Sequence, residues 1–141
     1  MRVQVRTQYF FQKLNVRLKE AKTIGLYRVC GLIRSATRRS LRLARGPSSP
    51  GNPPHVHTLG GLKIISFAVN GDTGMIGPDK FPRANKLNEP VTFVQEFGGT
   101  FTSKWGFRTY PERSYMNSTL NRLQSQGLIG REFTTTIARV L

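Results

Sequence analysis

Four prolines and two glycines crowd into nine residues, Gly46-Pro47-Ser48-Ser49-Pro50-Gly51-Asn52-Pro53-Pro54. No helix or interior strand accepts that density, because each proline fixes φ and removes an amide donor. The stretch divides the chain into a basic first third and a mixed remainder. Regular patterning resumes only near Leu62, so residues 46–61 form one long connection. A connection of this length inside a compact unit commonly carries function, and its prolines make it stiff and suited to reaching a neighbour.

Charge is divided the same way. Residues 1–45 hold twelve Lys and Arg against the single acid Glu20, whereas residues 46–141 hold ten against six. The formal net charge of +15 is therefore mostly N-terminal. Such a block attracts polyanions or an acidic protein surface in a salt-sensitive way. An Arg-rich, acid-poor start is also the composition of a transit peptide. Tyr9-Phe10-Phe11, the scarcity of serine before Ser35 and the lack of a cleavage site argue against that reading. The chain length of 141 residues allows one domain, residues 1–141, with residues 1–13 as an N-terminal arm.

Residues 2–6 alternate with period two, a weak strand signal. From Leu14 the period changes: Leu14, Leu18, Ala21, Gly25, Val29, Ile33 and Ala36 recur at helical spacing. The spacing predicts a helix over 14–44 that breaks near Thr23-Ile24-Gly25. Gly25 and Gly31 lie inside it, where small residues admit a close neighbour. Arg38, Arg39, Arg42 and Arg45 fall in its last turns, where cations complement the helix dipole.

Beyond the loop, residues 62–77 read as a β-hairpin around Asn70-Gly71-Asp72. Residues 79–90, with Pro82 and Pro90, read as irregular. Residues 91–97 suit either a short strand or a two-turn helix ended by Gly98-Gly99. Strand structure is expected around Trp105-Gly106. Pro111 and Glu112 then suit the opening of a helix with Tyr115, Met116, Leu120 and Leu123 as its apolar stripe. Residues 128–141 carry a helical stripe, although Thr134-Thr135-Thr136 opposes it by propensity. The expected class is α+β: a long N-terminal helix packed with further helices against a small antiparallel sheet containing a β-hairpin.

Chemistry is sparse. Cys30 is the one cysteine, which excludes an internal disulfide and a cysteine-cluster zinc site. Its helical position suits a small core residue. His55 and His57, in His-Val-His, point the same way if extended, but two ligands are too few for a structural zinc site. No phosphate-binding glycine loop occurs, and no pair of carboxylates is spaced for acid–base work. Neither an enzyme nor a cofactor is expected. No apolar run of about 18 residues exists, so no membrane span is expected. Glu96, an acid in an apolar run, suits either an ion pair with an arginine, one of a neighbouring subunit included, or a solvated helix face.

Several pieces in order carry a resemblance. A basic helix ends in Ala36-Thr37-Arg38-Arg39-Ser40-Leu41-Arg42, and the Pro/Gly-rich loop through His55-Val56-His57-Thr58 follows. Then come Leu62 to Val69, Ile76-Gly77-Pro78, Val94-Gln95-Glu96-Phe97-Gly98-Gly99-Thr100 and Tyr110-Pro111-Glu112-Arg113-Ser114-Tyr115-Met116. This order resembles the neck and tail-completion (head–tail joining) proteins of tailed bacteriophages, across roughly residues 30–125. Where that family has Arg-Pro-Phe before its penultimate helix, this chain has Tyr110-Pro111-Glu112.

The resemblance implies a non-catalytic virion protein that forms a hexameric or dodecameric ring. The ring would sit between portal or adaptor and tail-tube or tail-terminator proteins, after assembly in the host cytoplasm. It implies that Arg34, Arg38, Arg39, Arg42 and Arg45 face packaged DNA, without base readout, or an acidic partner. It also implies that Pro47, Pro50, Pro53, Pro54, His55, His57, Glu96 and Phe97 serve docking between subunits. The charge and interleaved aromatics alone suit an alternative, a stand-alone basic nucleic-acid-binding module.

Overall fold

The computed structural model describes residues 2–56, 61–78, 91–103 and 106–140. Helix α1 (Arg2–Ser40) runs unbroken for 39 residues, about 58 Å. The strand expected over residues 2–6 is helix, since a short alternation has no partner strand to pair with. The break expected near Gly25 is absent. The helix also ends earlier than expected, so Arg42 and Arg45 lie beyond it.

From Ala21 onward α1 is the spine of the molecule. On it packs a hairpin of β1 (Ile65–Asn70) and β2 (Thr73–Pro78), paired from Ile65↔Pro78 to Asn70↔Thr73. The expected turn at Asn70-Gly71-Asp72 closes it. Ile65, Phe67 and Val69 alternate inward along β1. Tyr27 meets Phe67 edge-on at 6.0 Å between ring centroids, and Arg34 lies over the same ring at 5.9 Å.

Residues 91–97 resolve as a helix, α2 (Val91–Phe97). The run around Trp105-Gly106 is a second hairpin, not one strand. Its strands β3 (Gly99–Ser103) and β4 (Gly106–Tyr110) pair antiparallel, apart from the first sheet. Helices α3 (Met116–Ser125) and α4 (Leu128–Val140) close the chain. Pro111 and Glu112 precede α3 and do not open it. Residues 79–90 lie outside the described residues.

Helix α4 forms despite its threonines because their hydroxyls bond back within it. Thr134 Oγ1 donates to the Gly130 carbonyl at 2.9 Å and Thr136 Oγ1 to that of Glu132 at 2.8 Å. Two apolar clusters hold the elements together. Val29, Ile33 and Leu123 form one, flanked by Leu128, Ile129 and Phe133. Leu41, Val56, Ile65 and Tyr115 form the other, and Ile76 packs against both. Cys30 is buried, as expected of a core residue, and burial pushes its thiol pKa up.

Residues 46–56 of the long connection are not an extended arm. Val56 N donates to the Arg42 carbonyl at 2.9 Å, and Ala44 N to that of Val56 at 3.3 Å. These bonds close residues 44–55 into a compact loop of the Ω kind. Its prolines set turns, and its buried Pro54 and Val56 turn it inward.

Gly25 and Gly31 behave differently. A Cβ at Gly25 would stand 2.8 Å from the Phe133 ring, so the glycine admits that ring, whereas Gly31 has no heavy atom within 4 Å of that position. Gly25→Ala is therefore expected to lower stability by about 1–3 kcal/mol through overpacking. Gly31→Ala is expected to raise it by about 0.5–1 kcal/mol through helix propensity. Urea unfolding of the two variants checks the opposite signs.

Candidate functional site

Two arrangements stand out: a buried carboxylate that organises the fold, and a basic groove beside it. The carboxylate is Glu96, at the end of α2 and only 7% exposed. Helix α3 has no side-chain cap and no acid in its own first turn. Glu96 supplies both. Its Oε2 accepts from the amides of Tyr115 at 2.9 Å and Met116 at 3.1 Å. Its Oε1 accepts from the amide of Asn117 at 2.8 Å and from Ser114 Oγ at 2.9 Å. Amides left unpaired by the helix thus meet a full negative charge where the dipole favours it.

Both expectations for Glu96 are corrected by these bonds. It is neither solvated nor presented to an arginine of a neighbour, because four donors of its own chain occupy both oxygens. The adjoining Gly98 makes the approach possible. At φ +63°, it sits where a Cβ would stand 2.6 Å from the Glu112 amide nitrogen and 2.9 Å from the Tyr110 carbonyl oxygen. Arg113 N donates to the Gln95 carbonyl at 2.9 Å, completing the seam between α2 and the lead-in to α3.

The same lead-in holds the Pro-rich loop. Arg113 Nε donates to the Ser48 carbonyl at 3.2 Å, and Gly51 N to that of Glu112 at 3.2 Å. Within the loop, His55 Nδ1 donates to the Gly46 carbonyl at 3.3 Å. The loop so held forms one wall of a groove of about 1230 Å³, whose other walls are α1 and the α3–α4 pair.

The arginines expected to act together are separated by this geometry. Arg39 and Arg42 line the groove. Arg34 lies over Phe67 on the hairpin side, and Arg38 and Arg45 are exposed elsewhere. Arg28 and Arg122 join the groove instead. Arg28 was legible in principle, since it shares a helical stripe with Leu32, Ser35 and Arg39. Arg122 carries no sequence signal, because only the packing of α3 brings it there.

Of the residues expected to dock, Pro47 and Pro50 are exposed and Phe97 is 56% exposed. Pro53 and His55 are half-buried against the groove, while Pro54 is buried in the loop's inner face and presents nothing to a partner. His57 lies outside the described residues. Among the described residues, no three of His, Cys, Asp and Glu gather where they would hold a metal ion. Among them, too, no helix is long and apolar enough to cross a membrane. No family model, curated protein or solved structure matches this chain.

Glu96→Ala would leave the amides of Tyr115, Met116 and Asn117 without their acceptor. It is expected to cost about 3 kcal/mol or more, and Glu96→Gln, which keeps one acceptor oxygen but turns an NH2 donor toward the other donors, somewhat less. Denaturant midpoints of the two variants check the ranking. Tyr115 gives a pH test. Burial, and secondarily the Glu96 charge, holds its phenol pKa above the usual tyrosine value. Below about pH 10 the phenol is protonated in both folded and unfolded chains. Above that the unfolded chain loses the proton first, so stability falls by up to about 1.4 kcal/mol per pH unit from this group. Tyr115→Phe is expected to flatten the alkaline decline, measured as urea midpoints across that range.

Proposed function

We propose that the chain is a structural, non-catalytic subunit of a tailed-phage neck. In this reading it closes into a ring with copies of itself, between portal or adaptor and tail-tube or tail-terminator proteins, around packaged DNA. The observation that carries the reading is the first part of α1. Every residue from 11 to 20 is exposed, including Phe11 at 60%, Leu14 at 41%, Val16 at 56% and Leu18 at 47%. Phe11, Leu14 and Leu18 share one face, and that face continues into the buried Ala21 and Gly25.

A helix face that is core from Ala21 onward thus runs on with Leu14 and Leu18 exposed to solvent. Isolated helices of this kind are marginal in water, and large apolar side chains gain from cover. A second copy supplies it in the ring: the arm of one subunit lies on the body of the next, a heterologous contact that closes by rotation. The second hairpin supports the same reading, since a two-stranded ribbon is marginal alone and Phe107 is 79% exposed on it. The arm's Lys13, Arg17 and Lys19 suit phosphate contacts that carry no sequence preference. The order of motifs that resembles the neck proteins adds the location.

Light scattering after size-exclusion chromatography tests the ring. The chain is expected to run as a closed oligomer. Leu14→Asp with Leu18→Asp, both at exposed positions, is expected to return it to a monomer whose body stays folded and which loses helix content only in the uncovered arm. A chain that remains monomeric at every concentration and binds DNA with a steep salt slope would instead be the stand-alone nucleic-acid module.

A further inference from the structure

We infer that the groove between α1, the Pro-rich loop and the α3–α4 pair is a binding site for an extended acidic segment of another protein chain. Four guanidiniums, those of Arg28, Arg39, Arg42 and Arg122, line it against the single carboxylate of Glu132. Among the described residues, none of the four guanidiniums has an ion-pair or hydrogen-bond partner. Arginines offer donors only, so the occupant must bring acceptors, and carboxylates match the guanidinium fork in pairs.

The volume of about 1230 Å³ exceeds what one small anion fills.

The lining favours a peptide over a nucleic acid. Leu32, Leu123 and Leu128 give the groove an apolar floor that a phosphodiester chain has no side chains to use. Glu132 repels phosphate but accepts from a peptide amide, and a peptide carries one at almost every residue. A second copy of this chain is not the source. Its seven acids are Glu20, Asp72, Asp79, Glu89, Glu96, Glu112 and Glu132, and no two lie close enough in sequence to form an acidic run. The occupant therefore belongs to a different protein. The inference does not rest on ring formation: a monomeric chain that binds the peptide keeps the groove and loses the ring, and the reverse outcome does the opposite.

The test is fluorescence anisotropy of the whole chain at physiological salt with two labelled probes. One is an alternating glutamate–leucine peptide, the other an oligothymidine of equal charge. The peptide is expected to bind more tightly than the oligothymidine. Arg39→Glu with Arg122→Glu is expected to weaken peptide binding about tenfold or more, and Arg38→Glu with Arg45→Glu, outside the groove, less than about threefold. The milder pair Arg28→Gln with Arg42→Gln guards against misfolding in the charge-reversed variant, and circular dichroism checks each. Tighter binding of the oligothymidine, equal losses inside and outside the groove, or no binding of the peptide would each overturn the inference.

Discussion

A single carboxylate, contributed by one helix to the start of another, is the contact on which the C-terminal half depends. Helix α3 begins at Met116 with no cap and no acid of its own. Its exposed amides and positive dipole end would otherwise sit beside the core unpaired. Glu96 removes that problem from outside the helix, and it does so only because Gly98 lets the backbone at 110–112 pass close by. The two segments therefore order together. Once they do, Tyr115 is set among Leu41, Val56 and Ile65, and Arg113 reaches the Ser48 carbonyl. The loop wall of the groove is thus held, two contacts removed, by the charge of Glu96.

Elsewhere the very basic composition contributes little to the fold. The ion pair between Lys22 and Asp72 is 2.6 Å long, but its side chains are 43% and 74% exposed. Such a pair contributes at most about 1 kcal/mol. What fastens the hairpin and α4 to α1 is apolar: Phe67 against Tyr27, Phe133 in the space left by Gly25, and Ile76 between the two clusters. The surplus of cations is therefore free for partners, since a chain with seven acids cannot neutralise twenty-two bases internally.

Local patterns were legible and distant pairings were not. The stripe from Leu14 onward marked α1, and Asn70-Gly71-Asp72 marked the first hairpin, because each signal lies within a few residues. The second hairpin was hidden because alternation is the same in one strand as in two folded back, and Lys104-Trp105 is no turn signature. Pro111-Glu112 resembled a helix opening, yet the acid that serves α3 comes from Glu96, about twenty residues earlier. Nothing in the spacing of Glu96-Phe97-Gly98 indicates a partner at that distance. Gly25 reads either as a helix break or as room for a close neighbour, and the Phe133 ring against it decides for the second.

The groove shows how a core contact can dictate the placement of surface charge. Thr37 Oγ1 donates to the Ile33 carbonyl at 2.9 Å and Ser40 Oγ to that of Thr37 at 2.7 Å, so carbonyls of the last turns are met as α1 ends. The next residue, Leu41, is buried at 1% exposure and turns the chain toward Val56, Ile65 and Tyr115. Had the helix continued, Arg42 would have stood on the α1 stripe of Arg28 and Arg39, three residues on from Arg39. The chain leaves the helix at Leu41 instead, and Arg42 keeps its place beside Arg39 and Arg28 because Val56 N holds its carbonyl. The cleft thus gathers the arginines of one α1 face, Arg28 and Arg39, together with Arg42, whose backbone the apolar core controls, while Arg38 lies off that face and Arg45 lies beyond the helix.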